Sequence, residues 1–180
     1  MAASQAQEAS SLSEKLAQAK KYLHSSSDEA IPLLQELQTL VAKASLFSKN
    51  EELQDISTHS LPFLCVDHYL AMALIQATTA SLSGRLTNLR TCCDLFDSFL
   101  HNLDQMELLH EKSRKDLNRL EELSSSDDEN LVMMPFDRDT KIMRLKERQA
   151  FEAELTKLEA IRQRRQRLGI VETEEMDGHD

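Results

Sequence analysis

Leu12, Leu16, Ala19 and Leu23 recur at spacings of three and four in an otherwise polar stretch. This spacing predicts an amphipathic helix over 10–24 with one face turned to a core. The serines before it offer N-caps. Ser25, Ser26, Ser27 and Asp28 then end this helix and cap a second one. In the second, Pro32 is expected in the first turn, and Ile31, Leu34, Leu37, Val41 and Ala44 form the apolar face. The two make a helical hairpin.

Residues 45–60 carry no sustained period, but Asn50, Glu51 and Glu52 predict a short helical turn in an ordered connector. From 61 to about 80 the apolar positions cover most of a helix circumference: Leu61, Phe63, Leu64, Val66, Leu70, Leu74 and Ile75 among them. Such a helix belongs at the centre of a core, and Pro62 is tolerated because it falls in the opening turn. Ser83 and Gly84 mark a break. Leu86, Leu89, Cys93, Phe96, Leu100 and Leu103 then predict an antiparallel partner helix from 85 to about 109. Residues 108–123 continue or restart with Leu109, Leu117, Leu120 and Leu123 among more charges, as an edge helix would.

Ser124, Ser125 and Ser126 each stand three residues before an acid, a spacing that acidophilic kinases read. A solvated acidic loop over 124–134 is the plainer reading. Met133, Met134, Pro135 and Phe136 are expected to tie the chain back to the helical block. No Gly or Pro then occurs between 137 and 168, and Lys, Arg, Glu, Gln, Leu and Ala dominate, so a long helix is expected, stopped by Gly169. Its apolar positions do not keep to one stripe: Ile142 and Leu145 share a face, while Phe151, Leu155 and Leu158 lie well round the cylinder. One set is therefore expected to face a partner. Arg138 and Lys141 sit one turn apart, with Arg144 and Arg148 continuing that flank. An ordinary solvated helix face is the competing explanation of these cations. Residues 169–180 read as a disordered acidic tail.

Only 4% of the 180 residues are aromatic and Gly and Pro number three each, too few for the turns of a sandwich or barrel. The expected fold class is all-α: an antiparallel helical bundle over 1–123, the acidic loop, a basic helix over 135–168 and the tail. A formal net charge of −10 argues against bulk attraction to nucleic acid or anionic membrane. Cys65, Cys92 and Cys93 are odd in number and the last two adjacent, which suits reduced thiols in a cytoplasmic or nuclear setting, with Cys65 expected in the core. The first residues lack a basic segment followed by an apolar one, so no signal peptide is expected. The apolar run near 61–80 is broken by Asp67, His68 and Gln76, as in a buried helix and unlike a membrane span.

No phosphate-binding glycine loop, paired-cysteine motif, HExxH or GxSxG occurs. The six histidines are scattered. Asp67 and His68 are neighbours on a helix and point about 100° apart, so one cannot orient the other. Neither catalysis, a metal nor a cofactor is expected.

Leu46, Phe47, Ser48, Asn50 and Glu51, followed by Ile56, Ser57, Thr58, Leu64, Val66 and Tyr69, resemble the signature of the TAP/alpha-four family of type 2A phosphatase-associated regulatory proteins, which act downstream of the TOR kinase. A second similarity is the Arg-x-x-Lys-Ile-x-Arg-x-Lys arrangement of Arg138, Lys141, Ile142, Arg144 and Lys146. The resemblance runs from about residue 33 to 158. It implies a bundle like tetratricopeptide or 14-3-3 proteins that binds the phosphatase catalytic subunit. Arg138 and Lys141 match the family's contact residues, and Arg144 and Lys146 are further candidates on charge. It also implies a chaperone-like role: the catalytic subunit held stable but inactive, with its usual scaffold subunit kept off. Three departures stand out, one of them a shorter loop before the basic helix. Family members run on for further helices, so the chain is expected to be a fragment or a short member, and Leu145 replaces the aromatic that commonly follows the second motif arginine.

Without its partner the chain is expected to be a monomer. The alternative is a self-associating helical adaptor, which would need a sustained heptad that the wandering stripe of the basic helix does not supply. An RNA-binding helix using Arg162, Arg164, Arg165 and Arg167 lacks interleaved aromatics. The same arginines also fit a localisation signal.

Overall fold

A computed structural model describes residues 2–47, 53–124 and 138–167. These form six α-helices: α1 (Ala2–Ser25), α2 (Ser27–Lys43), α3 (Val66–Gln76), α4 (Leu82–Gln105), α5 (Glu111–Ser124) and α6 (Arg138–Arg167). No strand occurs among the described residues, and the fold is all-α. The chain divides into two units, Met1–Ser125 and Ser126–Asp180. The expected acidic loop after Ser124, the tie through Met133–Phe136 and the acidic tail lie outside the described residues. So does the turn at Asn50, together with Ser48 and Glu51 of the family signature.

In the first unit α1 pairs with α2, α2 with α3 and α3 with α4. Leu12, Leu16 and Ala19 of α1 meet Ala30, Leu34 and Leu37 of α2, and the core continues through Phe63, Val66, Leu70, Ala71 and Leu74 to Cys92 and Leu95. Ala19, Ala30, Ala71 and Ala73 are fully buried; side chains this small let neighbouring helices approach closely. Leu34 and Leu37 are the largest side chains wholly out of solvent. Burying a leucine contributes on the order of 2 kcal/mol. Lys15 of α1 and Glu36 of α2 form an ion pair across the hairpin. Gln38 donates to the Asp67 carboxylate at 2.7 Å and Ser27 to the Gln76 side-chain oxygen at 3.0 Å, tying α2 to both ends of α3.

Pro32 departs from expectation. The helix already begins at Ser27, with Asp28 and Glu29 in its first turn, so Pro32 stands inside it. Its missing N–H leaves the Asp28 carbonyl without a helical donor, which is tolerable because both residues are exposed to water.

The expected single helix over 61–80 is two pieces. Leu61–Cys65 is a 3-10 turn with Pro62 at its start, and α3 follows and ends at Gln76, where Ala77 turns extended at ψ 137°. The 3-10 turn places Phe63 and Val66 in the core three residues apart and leaves Cys65 only half-buried, not in the core as expected. Burial raises the Cys65 thiol pKa and nearby Lys20 lowers it.

Ser83 and Gly84 are not a break. Ser81 is the N-cap of α4 and its hydroxyl accepts from the Gly84 N–H at 3.0 Å, so both residues lie in the first turn. The buried face of α4 is also turned by about one residue from the expected one. Cys92 and Leu95 are buried, whereas Leu86 (50% exposed), Leu89 (40%) and Cys93 face outward. Polar bonds select this face: the Cys92 thiol donates to the Ala71 carbonyl at 3.3 Å, and Arg85 and Asn88 donate to the Ile75 and Leu74 carbonyls.

Two chain reversals use left-handed residues that are not glycine. Ser45 (φ 48°) follows α2, with Leu46 N–H reaching back to the Val41 carbonyl, and Glu107 (φ 56°) follows α4, with Leu108 N–H on the Leu103 carbonyl. Both are helix C-caps of the kind glycine usually fills. Beyond the second, α5 buries Leu117 and is bridged to α4 by Arg114 with Asp104 at 2.5 Å and His101 with Glu121 at 2.8 Å.

Candidate functional site

The second unit is described by α6, 30 residues or about 45 Å of helix. Asp139 in its first turn and Arg164, Arg165 and Arg167 in its last complement the helix dipole at both ends. Ten Lys and Arg against five Asp and Glu make Arg138–Arg167 net positive in a chain whose formal charge is −10.

Arg138, Lys141 and Lys146 are exposed and Arg144 less so. At 100° per residue, Arg138, Lys141, Ile142 and Leu145 share an arc of about 100°. Lys146 lies about 40° beyond Ile142, while Arg144 stands at the far edge, about 120° from Arg138. The helix thus brings the first cation pair together with two apolar side chains, Ile142 (40% exposed) and Leu145 (46%), and holds Arg144 apart from that centre. Neither Arg138 nor Lys141 forms an ion pair with a described residue. Farther along, Arg148 pairs with Glu152 at 3.3 Å, and the Thr156 hydroxyl donates to the Glu152 carbonyl at 2.8 Å.

On the opposite side of the helix Phe151, Leu155, Leu158 and Ile161 are all at least half exposed. The surface of α6 therefore has two apolar stretches, one with a cation pair and one without. Cations at fixed helical spacing beside exposed aliphatic groups can engage a surface that offers carboxylates around an apolar spot.

The other polar residues singled out in the sequence do not converge. Asp67 takes the Gln38 amide, whereas His68 points among the rings of Tyr69, Phe96 and Phe99, at centroid distances of 5.7, 5.7 and 5.4 Å. Among the described residues no three His, Cys, Asp or Glu side chains gather as metal ligands, and no helix is long and apolar enough to cross a membrane.

The sequence profile of the TAP42-like family matches residues 2–180. A rice (Oryza sativa subsp. japonica) protein, "PP2A regulatory subunit TAP46", is 27% identical over 139 residues, a stretch that covers 77% of this chain and 30% of that protein. The chain thus spans less than a third of the length of this relative. No solved structure matches. Read with the all-α fold, the profile match over nearly the whole length shows that the chain belongs to the TAP42-like family.

Proposed function

We propose that this chain is a non-catalytic regulatory protein that binds the catalytic subunit of a type 2A-like protein phosphatase in TOR signalling. Family membership and the relative named as a PP2A regulatory subunit support the class of partner. The observation that carries the site is the exposure of Arg138 and Lys141 on one face of α6 beside Ile142 and Leu145. Arg144 and Lys146 flank this centre and act as secondary contacts. The chain works without a cofactor, in the cytoplasm or the nucleus, and is a monomer until it meets the phosphatase.

In this mechanism the two cations meet carboxylates on the catalytic subunit while the aliphatic pair exclude water from the contact. Truncating one member of a desolvated pair costs about 2–5 kcal/mol, against about 1 kcal/mol or less for a rim charge. Bound in this way, the chain acts as a chaperone: it holds the catalytic subunit stable but inactive and keeps the scaffold subunit off.

Purified catalytic subunit retained by the wild-type chain but lost with Arg138→Glu combined with Lys141→Glu is the expected result of a pull-down. Retention unaffected by that reversal refutes the site.

A further inference from the structure

In the first unit a groove of about 350 Å³ opens between the end of α2, the start of α3 and the end of α4. It shares Gln105 and Met106 with an adjoining hollow of about 580 Å³ that Leu53 and Glu107 also line. The apolar walls are Val41, Phe47, Phe63 and Met106. The polar lining includes the side-chain amides of Gln38, Asn102 and Gln105 and the Asp67 carboxylate, with Gln54 and Glu107 in the adjoining hollow.

Among the described lining side chains the charge is one-sided. No Lys or Arg is among the described lining residues. Two basic residues near the ends of these helices in sequence are engaged elsewhere: Lys43 of α2 lines a separate hollow beside Lys15 and Glu36, and Arg114 of α5 is held by Asp104. Both α2 and α4 also end at the groove. The left-handed Ser45 and Glu107, the only two non-glycine residues with positive φ among those described, line the groove and the adjoining hollow respectively. Two helix C-termini thus bring the negative ends of their dipoles to the hollows that Asp67 and Glu107 line, against the single positive end at the start of α3, where Asp67 itself stands. The Gln38 amide donates to one Asp67 oxygen and so fixes the orientation of the carboxylate.

We propose that this groove binds a peptide segment of a partner protein that presents an arginine beside a leucine-like side chain. The guanidinium is a rigid fork of donors without an acceptor, and it matches a lining of one oriented carboxylate and several amide oxygens. The apolar neighbour fits against Phe47, Phe63 and Met106. The groove belongs to a unit separate from α6, so this recognition is additional to phosphatase binding and does not rest on it.

The test is a titration of the full 180-residue chain, ¹⁵N-labelled, with the tripeptide amide acetyl-Leu-Arg-Leu and with its citrulline counterpart, which keeps the shape and loses the charge. The arginine peptide should give saturable shifts at the backbone amides of Phe47, Asp67 and Met106. The citrulline peptide should bind about tenfold more weakly. Asp67→Asn should weaken the arginine peptide by a similar factor and leave the citrulline peptide unchanged. The variant with Arg138→Glu and Lys141→Glu should bind the arginine peptide as the wild type does, which separates this site from the phosphatase contact. Equal binding of the two peptides, or no saturable shift at the three amides, overturns the proposal. So does a wild-type chain that is inert until Arg144 and Arg148 are both changed to Gln, because the chain's own basic helix would then be the occupant.

Discussion

Arg85, in the first turn of α4, donates from Nη1 to the carbonyl oxygen of Ile75 at 2.6 Å. Ile75 is the second-last residue of α3, whose final carbonyls have no partner within their own helix. Many helices close this deficit with a left-handed residue, but α3 leaves its last turn through an extended Ala77. The deficit is met instead from the next helix, and the α3–α4 hairpin is locked beside its connecting loop. Arg85→Ala should lower unfolding stability by about 1–3 kcal/mol in urea titrations, and Arg85→Lys by less. A variant as stable as the wild type would show that water serves the carbonyl equally well.

At the same end of that hairpin, Ser81 and Gly84 are coupled. A Cβ at position 84 would stand 3.2 Å from the Ser81 hydroxyl oxygen that caps the helix. Ser81→Ala alone should remove about 1 kcal/mol. Gly84→Ala alone gains helix propensity of about the same size but displaces the cap. In the Ser81→Ala background that conflict is gone, so Gly84→Ala should stabilise more there, by about 0.5 kcal/mol or more in a double-mutant cycle. Strict additivity would rule out the contact.

Two histidines should titrate on opposite sides of the ordinary value near 6.5. Burial among aromatic rings lowers the pKa of His68. As pH falls below about 6.5, the unfolded chain takes up a proton that the folded one resists, so this residue's contribution fades toward acid. His101 is raised, first by the Asp97 backbone carbonyl, then by the Asp97 carboxylate and by Glu121. Its contribution is complete below about 6.5 and is lost as pH rises through the folded value. The His101 pair is largely exposed, so salt should shrink its effect. Ring-proton shifts followed against pH should place His68 below His101, and His101→Gln should remove the loss on the alkaline side. The reverse order of midpoints would contradict the packing of His68.

If the phosphatase meets α6 at its cation-flanked face, the apolar contribution should come from that face alone. Ile142→Ala combined with Leu145→Ala should weaken catalytic-subunit binding about tenfold or more, while Phe151→Ala on the far side should change it by no more than about twofold. Calorimetry with purified catalytic subunit reads both. An equal effect from Phe151 would mean that the enzyme wraps the helix or uses its other side.

The α1–α2 hairpin was legible in the sequence because one apolar stripe on each helix left no choice of buried face: Leu12, Leu16 and Ala19 could only meet Leu34 and Leu37. α4 was not legible in that way. Its seven-residue repeat through Leu86, Leu89 and Cys93 competes with a second stripe about 100° away through Cys92 and Leu95, and bonds to Ala71, Leu74 and Ile75 decide between them. Such long-range polar choices leave no periodic trace. The cation pair of α6 could be read directly because its spacing is local. The groove around Asp67 could not, since its lining is assembled from separate segments that no local spacing connects.

Because Cys92 is sealed against α3 while Cys93, one step along the chain, meets solvent, the two thiols sample different conditions at nearly one place. Alkylation or oxidation should begin at the outer sulfur. The inner one becomes reachable only when the helices part, so the ratio of the two modifications measures how often this hairpin breathes.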